Sequence, residues 1–215
     1  MREVYVEALA EGHALTDEEL LASLRSTLQH KPKGAGWWVF AYGSLLWNPI
    51  FPFAKARRAN VHGLHRRFCL WSLATRGTPK APGLVLGLDR GGSCRGIVYR
   101  LHDAFALDEL RLLWRREMVT GAYEPRWLDA DCEGRRVTSI GFVVRREHSQ
   151  YAGHLTIDAQ AEVIARACGA FGSSADYLER TRVSLASHGV TDRYLERLAS
   201  RVAAYGPLAL QPMQG

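Results

Sequence analysis

Hydrophobic residues near the start of the chain recur at helical spacing. The four positions are Leu20, Leu21, Leu24 and Leu28. Their period is that of one helix face, and Thr16 followed by Glu19 forms a capping box at its start. A segment rich in Lys, Pro and Gly follows over 31–36. We therefore predict an N-terminal helical extension and linker over residues 1–35.

From residue 37 onward the pattern changes to that of β-strands. The segment 37–42 is a nearly continuous run of aromatic and β-branched residues that ends at Gly43 and Ser44, which is typical of a buried strand. Further strands are predicted over 59–64, 67–73, 83–88, 94–101, 123–130 and 136–144. Gly91 and Gly92 indicate a hairpin turn between two of these strands.

Helical patterns dominate the rest of the chain, after one helix near 105–119 that interrupts the strands. Three more helices are predicted over 157–168, 175–188 and 192–205. Each is followed by a glycine at the expected C-terminal capping position, namely Gly169, Gly189 and Gly206. Because strands come first and helices later, we expect an α+β fold with a mainly antiparallel sheet or a small barrel. We expect one domain over 36–206 and a C-terminal tail over 207–215.

The composition is that of a globular protein, since 47% of the 215 residues are hydrophobic and 23% are charged. The formal net charge of +6 favours an anionic partner, although modest positive charge also simply aids solubility. The arginines come as scattered pairs rather than as one basic run, and no RNP, KH or zinc motif accompanies them. A basic nucleic-acid-binding module is therefore only a rival prediction. The favoured prediction is that the protein has no nucleic-acid partner.

The candidate metal ligands and thiols lack the spacing of a site. The cysteines are Cys69, Cys94, Cys132 and Cys168. They are far apart and form no C-x-x-C motif, so we predict free buried thiols. His62 and His65 have no third ligand spaced with them, so no metal site is predicted. No Walker, Rossmann or G-x-S-x-G motif is present, and no cofactor is expected.

The start of the chain lacks the apolar run of a signal peptide. No segment approaches the roughly 18 apolar residues of a membrane span. We therefore expect a cytoplasmic protein without a membrane partner.

Glu117 is a carboxylate on the hydrophobic face of the helix predicted near 105–119. At about 100° per residue it projects between Leu113 and Trp114. Carboxylates are almost never fully buried without a partner, and loss of solvation raises the pKa of a carboxyl group. A glutamate with a raised pKa can act as a general acid/base near neutral pH. The same pattern also fits an exposed helix end or an ion pair with a nearby arginine.

The segment Tyr42-Gly43-Ser44-Leu45 follows the first predicted strand. A strand that ends in Gly-Ser can present consecutive backbone N–H groups as an anion-binding nest. Such donors hold a carboxylate or a developing oxyanion. An ordinary strand-ending turn is the alternative, because Gly and Ser are common turn residues.

Together these motifs resemble the ChaC-like glutathione-specific gamma-glutamylcyclotransferases. The resemblance starts with the sequence FAYGSLLWNP at 40–49. It continues in order with HRRF (65–68), RGTP (76–79), PG (82–83), GIVYR (96–100), REM (116–118), GAY (121–123) and GSSADYL (172–178). It runs from about Trp37 to about Ala203 and departs from the family pattern at Ala41, where the family usually has glycine.

The resemblance implies the gamma-glutamylcyclotransferase-like fold, which is a small closed β-barrel flanked by helices. It implies that Glu117 is the general acid/base and that the loop from Tyr42 to Leu45 binds the glutamyl group. Arg76 and Tyr177 lie in matching motifs and are candidates for substrate contacts. The implied reaction cyclises the γ-glutamyl group of reduced glutathione to 5-oxoproline and releases cysteinylglycine, without a cofactor. The rivals are an enzyme for other γ-glutamyl amino acids or amines, and a non-catalytic binding protein of the same fold.

Overall fold

A closed barrel of five strands forms the centre of residues 14–206, which are the part of the chain that the computed structural model describes. The strands are β1 (Trp38–Ala41), β2 (Phe53–Ser72), β3 (Gly83–Leu101), β4 (Tyr123–Cys132) and β5 (Arg135–Val144). They follow the order β1-β3-β2-β4-β5 around the barrel, and β1–β3, β2–β3, β2–β4 and β4–β5 are antiparallel. The predicted α+β fold with a mainly antiparallel barrel is confirmed.

Five α-helices pack around the barrel within the described residues. They are α1 (Asp17–Gln29), α2 (Ala106–Glu117), α3 (Ile157–Arg166), α4 (Ser174–Ser187) and α5 (Arg193–Ala203). A short 3-10 helix (Ser44–Leu46) follows β1, and two very short strands, β6 (Cys168–Gly169) and β7 (Gly172–Ser173), precede α4. The predicted helices are therefore all present, and the capping box of Thr16 and Glu19 forms at the start of α1.

One predicted helix end is wrong. Gly189 and Gly206 follow α4 and α5 with positive φ, as expected of capping glycines. The helix α3, however, ends at Arg166, and Ala167 is already extended with φ −80° and ψ 133°. The chain leaves the helix to enter β6, so Gly169 is a strand residue and not a helix cap.

The strands β2 and β3 are each one long strand, where the sequence pattern predicted two. Gly91 and Gly92 have φ of 100° and 66°, but they lie inside β3 and do not form a hairpin turn. Opposite them in β2, Gly63 has φ of 77°, and the register shifts between His62 and Leu64. The glycines therefore form a bulge that bends the paired strands without ending them.

Parallel pairing of single residues closes the barrel. Val39 of β1 pairs with Ile140 of β5, and Leu88 of β3 pairs with Val143 of β5. We call this junction the seam. Each pairing at the seam consists of a single residue pair, whereas β2 and β3 pair along nearly their whole lengths.

The helix α1 packs on the same core as the barrel. Leu20 and Leu24 are buried within the main hydrophobic cluster. Trp127 Nε1 of β4 donates to the carbonyl of Thr27 at 2.8 Å, and Leu15 N donates to the carbonyl of Val119 at 2.8 Å, just beyond α2. The boundary near residue 35 stays a prediction, and residues 1–13 and the predicted tail over 207–215 lie outside the described residues.

We expect Leu24→Ala to destabilise the protein by about 2–5 kcal/mol, because it removes buried methyl groups and leaves a cavity. Leu24 is 4% exposed, whereas Leu21 on the same helix is 39% exposed. Leu21→Ala is therefore a matched control, with an expected loss below about 1 kcal/mol. Urea unfolding of both variants measures the difference. Equal losses would contradict the packing of α1 on the core.

Three of the four cysteines are buried and free, as predicted, but Cys168 is exposed on β6. Between residues 14 and 206, no helix combines the length and the apolar character that crossing a membrane requires. The same range contains no cluster of three or more His, Cys, Asp or Glu side chains arranged to hold a metal ion.

Candidate active site

A cavity of about 400 Å³ opens between the 3-10 helix, the end of β2, the end of α2 and the start of α4. Four of the predicted site residues line it, namely Ser44, Arg76, Glu117 and Tyr177. The first and last of these residues, Ser44 and Tyr177, are 133 positions apart in the sequence, and the fold brings all four together. Tyr42, Gly43 and Leu45 lie directly behind this lining, in the segment that leads into and through the 3-10 helix.

Glu117 is the last residue of α2 and faces the cavity. Leu113 and Trp114, one turn earlier, are fully buried, as the helical pattern predicts. The Glu117 side chain is 14% exposed, and its Oε1 atom is buried without a hydrogen-bond partner among the described residues. Burial raises the pKa of Glu117, and the charge of Arg116 opposes this rise only in part. The carboxyl group can therefore exchange a proton closer to neutral pH than an exposed glutamate.

Arg116 connects Glu117 to the 3-10 helix. Its Nε lies 3.2 Å from Glu117 Oε1, close enough for charge attraction but without hydrogen-bond geometry. Its Nη2 donates to Ser44 Oγ at 2.7 Å, and its Nη1 donates to the carbonyl of Asn48 at 2.6 Å. The carboxylate is thus buried and also lies beside an arginine, which was one of the alternatives that the sequence left open.

Hydrogen bonds to the barrel hold the start of the Tyr42–Leu45 segment in place. The Tyr42 hydroxyl donates to the carbonyl of Phe142 at 2.7 Å, and Arg66 Nε donates to the carbonyl of Tyr42 at 2.5 Å. Gly43 lies so close to Tyr177 that a Cβ atom would be 2.8 Å from its hydroxyl oxygen. The first N–H groups of a helix have no acceptor within the helix, so those that start the 3-10 helix can serve an anion. Leu45 turns its side chain into the core, and only its backbone can face a ligand.

Tyr177 lies on the wall of the cavity between two aromatic rings. Its ring centroid is 5.9 Å from that of Trp47 and 5.8 Å from that of Phe68, both in edge-on geometry. Burial, with a further contribution from the charge of Glu117, raises the pKa of Tyr177 to about 12. The phenol therefore stays protonated and can donate a hydrogen bond.

Arg76 also lines the cavity. Its guanidinium carbon is 5.6 Å from the centroid of Trp47 and 5.4 Å from that of Tyr177. Its Nη1 pairs with Asp176 Oδ2 at 3.1 Å, and its side chain is only 6% exposed. These contacts hold a positive charge on the cavity wall, where it can meet a carboxylate.

Sequence reasoning did not single out Arg116, Trp47 or Arg180, which also line the cavity. Arg116 and Trp47 stand inside motifs of the family resemblance, at 116–118 and 40–49, but nothing in those motifs gave either a role of its own. Arg180 follows Tyr177 by one helical turn, but the pattern alone does not show which helix face meets the cavity.

Comparisons with known proteins agree with this architecture. The family model described as ChaC-like protein matches residues 37–205. The glutathione-specific gamma-glutamylcyclotransferase of Escherichia coli (strain K12) is 38% identical over 192 residues, which is 89% of this chain and 83% of that protein. Glutathione-specific gamma-glutamylcyclotransferase 1 of Mus musculus is 29% identical over 82% of each chain.

A similar fold occurs in a solved structure. The yeast gamma-glutamylcyclotransferase specific to glutathione has a TM-score of 0.74 at 24% identity, over 80% of this chain and 97% of that chain. This likeness bears on the fold, whereas the family follows from the sequence match over residues 37–205. The chain belongs to the ChaC-like protein family.

Proposed function

We infer that this protein cleaves reduced glutathione by cyclising its γ-glutamyl group, with 5-oxoproline and cysteinylglycine as products. The observation that carries this inference is the buried Oε1 of Glu117, which has no hydrogen-bond partner in the described residues and borders the cavity. A catalytic carboxyl group needs such an unoccupied oxygen. The names of the Escherichia coli and Mus musculus relatives support glutathione as the substrate.

The reaction needs two proton transfers and no protein nucleophile. The α-amine of the substrate attacks its own γ-carbonyl carbon, a C–N bond forms, and the amide bond to cysteine breaks. Because the attack is intramolecular, the enzyme needs chiefly to hold the reactive conformation. The α-ammonium group loses one proton before the attack, and the same nitrogen loses a second as the lactam forms. The departing cysteine nitrogen gains one proton as the amide bond breaks and a second as it becomes an ammonium group. No water is consumed, so the two protons that leave one nitrogen are the two that reach the other.

We assign both transfers to Glu117. Its carboxylate accepts the proton from the α-ammonium group, and the resulting carboxylic acid returns a proton to the leaving amine. The raised pKa of Glu117 makes its protonated form easier to reach than that of an exposed glutamate. We assign the binding of the glutamyl group to Tyr42, Gly43, Ser44 and Leu45, whose backbone N–H groups would hold the α-carboxylate or the oxyanion. Arg76 and Tyr177 complete the binding site.

The surface charges favour a small anionic substrate over nucleic acid. Many arginines of the described part are engaged in ion pairs with carboxylates, as Arg182 is with Glu179 and Glu196. Paired charges leave little positive field for a phosphate backbone. The arginines Arg76 and Arg116 are instead gathered around the cavity.

A product assay tests the proposed function. Purified protein is incubated with reduced glutathione, and 5-oxoproline and cysteinylglycine are quantified together. Equal amounts of both products are expected. Cleavage of γ-glutamyl-alanine but not of glutathione would keep the chemistry and replace the substrate. No cleavage of either compound would overturn the proposal in favour of a binding protein.

We expect Arg116→Gln to move the acid limb of the pH profile of kcat/KM to higher pH. Glu117 accepts a proton as carboxylate, so the rate falls as pH falls through its pKa. The positive charge of Arg116 lowers that pKa, and its removal lets burial raise the pKa further. Arg116→Lys keeps the charge and should keep the limb in place. Arg115→Gln is the control, since Arg115 is 64% exposed and lies near Asp17.

An acid limb that stays in place in Arg116→Gln would contradict the assignment of that limb to Glu117. The profile of kcat/KM is the proper measurement, because it reports the ionisations of the free enzyme.

A further inference from the structure

Glutathione carries a second carboxylate, on its glycine, at the end of the molecule farthest from the glutamyl group. We propose that Arg180 binds this glycine carboxylate and so selects glutathione over γ-glutamyl compounds that lack it, an inference that rests on the proposed function. Nothing in the comparisons assigns a role to this residue.

Arg180 marks the outer end of the cavity. It lies on α4, one turn after Tyr177, and lines the cavity. Its side chain is 57% exposed, whereas those of Arg76 and Arg116 are 6% and 9% exposed. A peptide whose glutamyl end reaches the buried Glu117 must direct its other end toward solvent. The exposed arginine at the rim is therefore the one placed for the terminal carboxylate.

The guanidinium group of Arg180 is held in place with two nitrogens left free. Its carbon lies 5.4 Å from the ring centroid of Trp47, and its Nε donates to Asp176 Oδ1 at 3.0 Å. Within residues 14–206, neither Nη1 nor Nη2 has an acceptor. A guanidinium oriented by one ring and one carboxylate, with both terminal nitrogens available, suits the two-pronged binding of another carboxylate.

The charges on this side of the cavity leave room for an anion. Asp176 is shared between Arg76 and Arg180, so the three side chains together carry one net positive charge. Elsewhere in the lining, Arg116 and Glu117 balance each other. Glutathione has two carboxylates and one ammonium group at neutral pH, which is one net negative charge. The excess positive charge therefore lies where the second carboxylate would arrive.

The test compares glutathione with its glycine amide, which differs only in a neutral amide in place of the terminal carboxylate. We expect wild-type protein to favour glutathione by about tenfold in kcat/KM, as for a hydrogen-bonded charge pair that is partly exposed. Arg180→Gln should reduce this ratio to about one by lowering kcat/KM for glutathione alone. Arg180→Lys, which keeps the charge but loses the fork, should reduce the ratio partway.

Arg111→Gln is the matched control, because Arg111 is 58% exposed and pairs with Asp108 one turn away. It removes the same charge outside the cavity and should leave the tenfold ratio unchanged. If Arg180→Gln and Arg180→Lys both keep the wild-type ratio, the inference is overturned while the proposed function stands. If wild-type protein does not cleave glutathione, the proposed function fails, and calorimetric binding of glutathione and its amide tests Arg180 alone. Equal weakening of both ligands by Arg180→Gln would then overturn the inference.

Discussion

Replacing Glu117 by glutamine is expected to lower kcat/KM for glutathione by roughly a thousandfold, the contribution that general acid–base groups typically make. The amide has nearly the same shape as the carboxyl group but cannot accept the ammonium proton or return it. Because Glu117 Oε1 is buried without a hydrogen-bond partner in the described residues, a neutral side chain should not disturb the fold. The product assay measures activity, and a thermal melt reports the fold.

Glu109→Gln is the control for this variant. Glu109 lies on the same helix α2 and also has a buried oxygen, Oε2, without a hydrogen-bond partner among the described residues, but it does not line the cavity. The two variants therefore make the same chemical change on one helix, and only one of them alters the cavity. Glu109→Gln should retain activity within about twofold, since only the carboxylate at the cavity transfers protons. Activity of Glu117→Gln within a few-fold of wild type would contradict the mechanism.

Replacing Gly77 by alanine is expected to destabilise the protein by about 3 kcal/mol or more and to remove most of its activity. A Cβ at Gly77 would lie 2.0 Å from the backbone nitrogen of Gly83 and 2.6 Å from the carbonyl oxygen of Ser72. Both neighbours are backbone atoms, so no side-chain rotation relieves the overlap. The chain must shift between β2 and β3, and Arg76, the preceding residue, shifts with it.

Gly36→Ala is the comparison for this prediction. A Cβ at Gly36 would approach only the side-chain ends of Trp38 and Arg100, at 3.0 Å and beyond, and these can move aside. Chemical unfolding of both variants should separate them by at least about 2 kcal/mol. If the two unfold at the same denaturant concentration, the tight packing around Gly77 is not what the structure indicates.

Local patterns predicted most elements and the position of Glu117. Period and capping identified the helices, and the 100° rotation per residue placed Glu117 with Leu113 and Trp114 on the buried face of α2. The hairpin turn predicted at Gly91 and Gly92 was wrong, because a pair of glycines in the sequence is compatible with both a turn and a bulge. The pairing of β2 with β3 determines that a bulge forms here and not a turn. This pairing depends on the partner strand β2, where Gly63 allows the bulge.

The cavity itself could not be predicted in full. The functional candidates Tyr42, Gly43, Ser44 and Glu117 stood out because a motif or a buried charge marked them. Arg180 carries no such mark, since arginines occur throughout the chain and one on a helix is most often solvated. Its proposed role depends on Asp176, one turn earlier on the same helix, and on Trp47, which only the packing of α4 against the 3-10 helix brings within reach.

The seam is where we expect the barrel to open locally most often. Because β5 joins β1 and β3 through single residue pairs, its amide hydrogens along that edge will exchange with deuterium sooner than those between β2 and β3. The Tyr42 hydroxyl crosses this edge to the carbonyl of Phe142. A ligand held by the segment that begins at Tyr42 is therefore expected to stabilise this edge as well as fill the cavity. Slower isotope exchange in β5 would then report occupancy without any turnover.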